Sequence, residues 1–569
     1  METNQKLETL FRAALNATPE EREKSSDLST GFDQTEDTWE VIVKHTGHLL
    51  SLQEKYPSIQ ITELLNNYGI LKLPESLIDT IVSEDIITYM EKPKQLFFEV
   101  TNGKRAACIN TLQSRLPNLS GRGTLVGIID SGIDYAHPDF RNPDGSTRIL
   151  SLWDQTLKKV YFSEEINTAL SMNTVQERYS ICPSQDVSGH GTHVAGIAAG
   201  NGLASNRRYQ GVAYEAELII VKLGTPGPNS FPSTSLLMAG VDYCIRESLR
   251  LNRPLALNLS FGNTYGSHSG TSLLETYLNS VSELGRISIV VGSGNEGASS
   301  GHISGVLSEN QPVVVEFGIS EFTTSLNIQL WKNYWDEFTI QITPPFGSNI
   351  ILPSSPGALR YTFGETKLYS YNGEPTPYTP LQEIYLDFLP SNTYLTAGLW
   401  KIRLIPQKIR SGVWYMWMPS SAIRNEATAF LRPVPETTLT IPSTASRVIT
   451  VGAYDSNQNT IAPFSGRGYT WNNQFVKPDF VAPGVDIISC APGGGYTTRT
   501  GTSMATPFVT GTASLLLQWG IVNRNDPFLY GEKMRAYLIR GVRSLPGFDV
   551  YPNPQTGWGA LCAFDTLFP

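Results

Sequence analysis

The sequence predicts an α/β protein: a parallel sheet with flanking helices, preceded by a small βαββαβ unit and interrupted by an inserted all-β, jelly-roll-like segment. Three observations predict it. The runs TLVGIIDSG, ELIIVKLG, PLALNLSFG and RISIVVGSG are continuously apolar and end in glycine, the texture of strands buried on both faces of a parallel sheet. Helix-like stretches separate them. Between about 303 and 440 the rhythm changes to period-two alternation, as in SLNIQLW, EFTIQITP and LWKIRLIP, which describes antiparallel strands with one face inward.

Taken in order, residues 1–35 form a charged, turn-rich tail with room for a short amphipathic helix. The βαββαβ unit spans 38–95: WEVIVKH is a strand, HLLSLQEKY a helix, IQITELLNNYGILKLP two strands, ESLIDTIVSED a helix and DIITYMEKP a strand. Leu77, Ile78, Ile81 and Val82 share one face of the second helix. This places a first domain at 1–98, an α/β domain at 99–302 plus 441–569, and the β insertion at 303–440. The insertion holds five of the ten tryptophans, Trp331, Trp335, Trp400, Trp414 and Trp417. Aromatic core packing is their plainer role, with a sugar-binding face as the alternative.

Bulk properties narrow the function. A net charge of −9 and a pI near 5.5 argue against nucleic acid or an anionic membrane as partner. No apolar run approaches the roughly 18 residues of a membrane span. The start, METNQKLETLFRAALNATPEEREKSSD, lacks the basic end and apolar core of a signal peptide, so synthesis in the cytoplasm is expected. Five scattered cysteines without a C-x-x-C pair read as packing thiols in a reducing compartment. No ligand spacing calls for a metal, and no cofactor is expected.

The candidate chemistry gathers at strand ends, where ligands of open α/β sheets collect. Asp130 in GIIDSGIDYAHPDF closes an apolar strand, where a carboxylate needs a cationic or N–H-donating neighbour. His190 in DVSGHGTHVAGIAAG lies between glycines ahead of a small-residue helix, and a neutral imidazole is the natural proton acceptor near pH 7. His193 follows three residues on, but H-x-x-H lacks the glutamate and spacing of a metalloprotease motif, so an internal, hydrogen-bonded role is expected. Asn295 in VVGSGNEG could present an amide to a developing negative charge. Ser503, in RTGTSMATPFVTGTASLLL, opens an apolar helix with a hydroxyl, which is either a cap or a nucleophile.

Each motif alone has an ordinary structural explanation; their combination does not. In the order Asp, His, Asn, Ser, the stretches DSGIDYAHPDF, HGTHVAGIAAG, NLSFG, GNEG and GTSMATPFVTG resemble the subtilisin family of serine peptidases. The resemblance implies a subtilisin-like fold with Ser503 as nucleophile, His190 as general base and acid, Asp130 orienting the imidazole, and Asn295 with the Ser503 N–H as oxyanion hole. It also implies peptide binding as an added strand along Leu223, Gly224, Ser260, Phe261 and Gly262, with Gly292, Ser293 and Gly294 near the pocket. The βαββαβ unit resembles a propeptide removed by the enzyme itself, with cleavage within 92–99 and after Gln95 as the first choice. NGLASNRRYQGVA lacks the acid- and amide-rich loop of the family's strong calcium site.

The internal insertion, the propeptide and RILSLWDQT after the Asp motif narrow the resemblance to the Csp spore-germination proteases. That group implies a protein substrate, the precursor of a cortex-lytic enzyme, and possible retention in the spore. Two alternatives stand beside it: a pseudoprotease serving as signalling partner or scaffold, and a general degradative subtilase with a carbohydrate-binding insertion.

Overall fold

A computed structural model describes residues 6–19, 31–33, 36–64, 67–92, 100–116, 118–223 and 233–568. The chain divides into two compact units, Met1–Phe98 and Glu99–Pro569.

The first unit is an antiparallel sheet of Thr38–His45, Gln60–Leu64, Tyr68–Pro74 and Ile87–Glu91, edged by the short strand Phe32–Asp33. Helices Ser51–Lys55 and Ile78–Ser83 follow the first and third of the long strands. Burial alternates along Thr38–His45, so Trp39, Val41 and Val43 meet Ile78, Ile81 and Val82 in one core. The tail adds a helix, Thr9–Asn16, whose Phe11 and Ala14 are buried in that same core.

The second unit is organised by a twisted sheet. Its central strands, in spatial order, are Phe480–Pro483, Ile449–Asp455, Ile287–Gly292, Leu255–Leu259, Leu125–Asp130, Glu217–Lys222 and Ile149–Asp154, all parallel. Leu125–Asp130 is buried at every position because it has apolar cover on both faces. Val126 and Ile128 belong to the core under helices His190–Ala199 and Thr502–Leu517. Leu125 and Ile129 belong to the core under Thr234–Leu251 and Leu273–Val281. The chain runs outward from Leu125–Asp130 in one direction and then in the other, so a switch point lies at its carboxyl end, next to Asp130.

The insertion is a sandwich of two antiparallel sheets. One holds His302–Val306, Val413–Trp417, Leu326–Asn333, Leu381–Pro390, Thr366–Asn372 and Gly357–Phe363; the other holds Ile350–Leu352, Glu337–Thr343, Gly398–Lys408, Val313–Ile319 and Ala429–Phe430. Trp400 and Trp414 fill its core, and Trp417 is buried where the sandwich meets the α/β body. At that seam His268 stacks on Trp417 at 4.1 Å, His302 stacks on the same ring at 5.0 Å, and Tyr415 packs on Trp471 at 4.5 Å.

One expectation is overturned. Cys108 and Cys562 form a disulfide, with Cα atoms 4.8 Å apart across 454 positions, so the five cysteines are not all packing thiols. Within the second unit its first and last segments meet, with Ala563 N donating to Ala107 O at 2.7 Å, a contact with no signature in cysteine spacing. Cys182, Cys244 and Cys490 are free and buried.

The seam is sensitive to acid. Burial pushes His268 down to about 4 and His302 to about 3, against partners that are backbone carbonyls at Leu439, Thr264 and Val434. Both histidines stay neutral in the folded chain but take up a proton once unfolded below about pH 6.5. Stability is therefore full above that value and falls as pH drops toward the folded values, by about 1.4 kcal/mol per pH unit for each histidine. Thermal unfolding from pH 7.5 to pH 5 is expected to show a falling midpoint, with the slope reduced in His302→Gln.

Candidate active site

Asp130 is completely buried at the end of its strand, and its environment is built to hold a charge. Its Oδ1 accepts from His190 Nδ1 at 2.7 Å and from Ser131 N at 2.8 Å. Oδ2 is buried without a hydrogen-bond partner among the described residues. His190 starts its helix with 26% of its side chain open to solvent. A β-carbon on Gly191 would lie 2.1 Å from Gly132 O and 3.0 Å from Asp130 Cβ, so glycine after His190 is what lets the helix start press against the strand end. Burial disfavours the imidazolium, but the Asp130 charge and hydrogen bond outweigh it and raise the His190 pKa above its usual 6.5.

The helix start is fastened by Asp186, a residue the sequence reading did not single out. Its Oδ1 accepts from Gly189 N at 2.9 Å and Ser131 Oγ at 2.8 Å; Oδ2 accepts from Thr192 N at 2.8 Å and Thr192 Oγ1 at 2.7 Å. The only hint in the sequence was an acidic residue shortly before a helix. His193, one turn along, is fully buried, with Nε2 between Ile487 O at 2.9 Å and Thr497 O at 3.1 Å. Burial takes it down to about 3.

Ser503 lies in the first turn of Thr502–Leu517. Its Oγ donates to Ser260 O at 3.3 Å, and Ser260 Oγ donates in return to Ser503 O at 3.4 Å. Pro507 explains the second contact: without an N–H it leaves the Ser503 carbonyl without its usual helical partner. Among the described residues Ser503 has no hydrogen bond to His190, although the His190 ring lies 6.3 Å from Phe261, next to Ser260. Asn295 Oδ1 accepts from Thr502 N at 3.0 Å and Thr502 Oγ1 at 3.1 Å. That fixes the exposed amide so that Nδ2 is left to donate, on the side where a β-carbon on Gly501 would lie 3.5 Å away.

The other sequence candidates divide. Ser260 and Phe261 are half-buried, Gly262 is exposed and Gly294 half-buried, at the carboxyl ends of adjacent strands. Thr440, which sequence reasoning missed, fills the space between the last two: a β-carbon would lie 2.2 Å from its Oγ1 at Gly262 and 2.4 Å from its Cγ2 at Gly294. Leu223, Gly292 and Ser293, expected beside a bound peptide, make internal contacts. The Leu223 side chain is in the core and its N–H donates to Asp130 O at 2.9 Å. Ser293 N donates to Val451 O at 2.8 Å, its carbonyl accepts from Thr440 N at 3.0 Å, and a β-carbon on Gly292 would lie 2.9 Å from Thr506 Oγ1. Gly224 and Gln95 lie outside the described residues.

His137, Asp139 and Cys490 bring three potential ligand atoms within 4.8 Å of one another. Their donors and acceptors are consumed internally. His137 Nδ1 accepts from Asp139 N at 3.1 Å while Nε2 meets Gly495 O at 2.9 Å. The Asp139 carboxylate accepts from Ala204 N at 2.9 Å, Tyr496 Oη at 2.9 Å and the Cys490 thiol at 3.3 Å. Burial drives that thiol pKa well up, so it remains the proton donor of a closed network.

Asp186→Ala removes three hydrogen bonds from the start of the His190 helix and one from Ser131, and is expected to cost about 1–3 kcal/mol, read by chemical denaturation. Asp186→Asn keeps the shape and should recover part of the loss.

Comparison with known proteins agrees with this geometry. The Csp protease B prodomain matches residues 5–94, and the Subtilase family matches residues 121–319 and 425–559. The structure of the Clostridium perfringens CspB protease is 36% identical with a TM-score of 0.77, covering 82% of this chain and 96% of that one. The PIII-type proteinase of Lactococcus lactis subsp. cremoris (strain SK11) is 24% identical over 72% of this chain, and the minor extracellular protease Vpr of Bacillus subtilis (strain 168) is 23% identical over 78%. The chain spans 22% and 51% of the length of those two curated relatives. With a family match over more than half its length, falling on the segments that carry Asp130, His190, Asn295 and Ser503, the chain belongs to the subtilase family.

Proposed function

We propose that the protein is a serine endopeptidase that removes its own N-terminal prodomain and then makes limited cuts in a protein substrate, a precursor of a cortex-lytic enzyme in the germinating spore. The observation that carries the reading is the 2.7 Å bond from His190 to the buried Asp130, beside a helix that opens on Ser503. The Csp protease B prodomain match and the likeness to the CspB protease support the narrower assignment.

In the reaction, a bound peptide turns the Ser503 hydroxyl from Ser260 O to His190 Nε2; nucleophile–base contacts of this kind commonly tighten only with substrate. Oγ attacks the peptide carbonyl carbon, its proton passes to Nε2, and the carbonyl electron pair moves to oxygen. The Ser503 N–H and Asn295 Nδ2 receive that oxyanion. Collapse expels the amine, which takes the proton from His190, and water repeats the sequence on the acyl-enzyme. Asp130 keeps its charge throughout and holds the tautomer that leaves Nε2 free.

Intact mass decides the first claim. Wild type is expected to lose about its first 95 residues, by cleavage at Gln95, and Ser503→Ala to stay full length. Identical full-length masses would support the scaffold reading instead. Asn295→Ala should lower kcat by about 10²–10³ with KM little changed, the size found for the corresponding donor in subtilisin. Because Asp130 raises the His190 pKa and the base must be neutral, the acid limb of kcat/KM is expected to have its midpoint above pH 6.5.

A further inference from the structure

Trp335 and Trp331, the two tryptophans the sandwich does not bury, each line a concavity. The larger, about 480 Å³, opens at the end of the sandwich, within the range of small-molecule sites. Tyr334 and Trp335, each 45% exposed, stand at its rim on the turn after Leu326–Asn333. Its wall holds four polar side chains that are nine-tenths or more buried: Lys332, Asn372 and Gln382, at 4%, 3% and 6% exposure, and Asp336, with none.

These groups have unspent capacity. Lys332 Nζ donates to the backbone carbonyls of Asn333 and Asp336 but has no carboxylate within ion-pair distance among the described residues. The neighbouring Asp336 carboxylate is taken up by the backbone N–H groups of Arg410, Ser411 and Gly412 at 2.7, 2.9 and 2.9 Å. Burial lowers Lys332 to about 8, against the opposing pull of the Asp336 and Glu337 charges. Asn372 spends its amide N–H groups on Pro353 O and Ser355 O, leaving Oδ1 buried without a partner among the described residues. Gln382 Nε2 donates to Gly373 O at 2.9 Å and its Oε1 accepts nothing among the described residues. At the rim Lys408 is paired with Glu337 at 3.5 Å, whereas Arg410 makes no ion pair among the described residues.

We propose that this cavity binds a saccharide carrying a carboxylate. The sugar face stacks on Trp335 and Tyr334, hydroxyl groups donate to the free oxygens of Gln382 and Asn372, and the carboxylate meets Lys332 and Arg410. The two aromatics offer a surface for a flat apolar face, the two acceptors take hydroxyl donors, and the Arg410 guanidinium, beside Lys332, takes an anion. A sugar acid supplies all three; a neutral sugar leaves Arg410 idle, and a simple carboxylate leaves the aromatics and amides idle. The site is independent of the proteolytic reading, since none of its residues touches Asp130, His190 or Ser503.

Calorimetric titration of the full chain with glucuronate, glucose and acetate tests it. Glucuronate is expected to bind at least tenfold more tightly than either. Arg410→Ala and Trp335→Ala, both surface changes, should each weaken it by about tenfold without altering prodomain removal, and Lys332→Met should abolish it. No binding of glucuronate, equal binding of glucose or acetate, or full binding in Trp335→Ala would each overturn the proposal.

Discussion

The buried carboxylate of Asp130 is the constraint around which the α/β body is arranged. A carboxylate with no solvent contact is tolerated only if charge and hydrogen-bond donors reach it, and removing one partner of such a pair typically costs about 3–5 kcal/mol. Here the donors come from the Ser131 backbone and the His190 ring. The second can arrive only because Gly191 allows the helix start to touch the strand and Asp186 pins its first N–H groups. Segment 186–192 is thus held by the same charge that it compensates, and the imidazole gains its orientation and its raised pKa from that one arrangement.

The other half of the site depends on a missing hydrogen bond. Pro507 deprives the Ser503 carbonyl of its helical partner, and Ser260 at the end of the neighbouring strand takes it instead. The result is a two-way tie between Ser260 and Ser503, which binds the mouth of the Thr502–Leu517 helix to the strand edge expected to receive substrate. Asn295 completes the tie from the next strand by accepting from Thr502. The long insertion between Asn295 and Ser503 does not disturb this, because the chain returns alongside the point it left: Thr440 N bonds to Ser293 O at 3.0 Å, and the sandwich hangs from that closure through the His268, His302 and Trp417 stack.

What was legible in the sequence followed from elements that carry their own signal. Strands with apolar cover on both faces read as unbroken apolar runs, and Asp130, His190, Asn295 and Ser503 each sit in a glycine-rich strand end or helix start that marks a close approach of backbone. The illegible parts are pairings between distant segments. Asp186 is one acid in a polar stretch until Thr192 and Gly189 fold onto it. Thr440 means nothing without Gly262 and Gly294 on either side. Cys108 and Cys562 look unpaired until their chain neighbours, Ala107 and Ala563, meet. The internal contacts of Leu223 with Asp130 and of Ser293 with Val451 and Thr440 are likewise pairings between distant segments.

The histidines show why residue type alone does not settle chemistry. His193, His268 and His302 lie in the same body as His190 and are buried more completely, yet each meets backbone carbonyls, which satisfy a neutral ring without supplying charge. Desolvation then wins and their pKa values fall to about 3, 4 and 3. His190 also pays for burial, but it faces a full negative charge at 2.7 Å, and the balance reverses. Since His190 and His193 are three residues apart on one helix, the divergence cannot come from local sequence. It comes from which strand end each ring meets: the carboxyl end of Leu125–Asp130 for one, the carbonyls of Ile487 and Thr497 for the other. The topology of the sheet, by delivering Asp130 to its switch point, therefore selects which imidazole can exchange a proton near neutral pH.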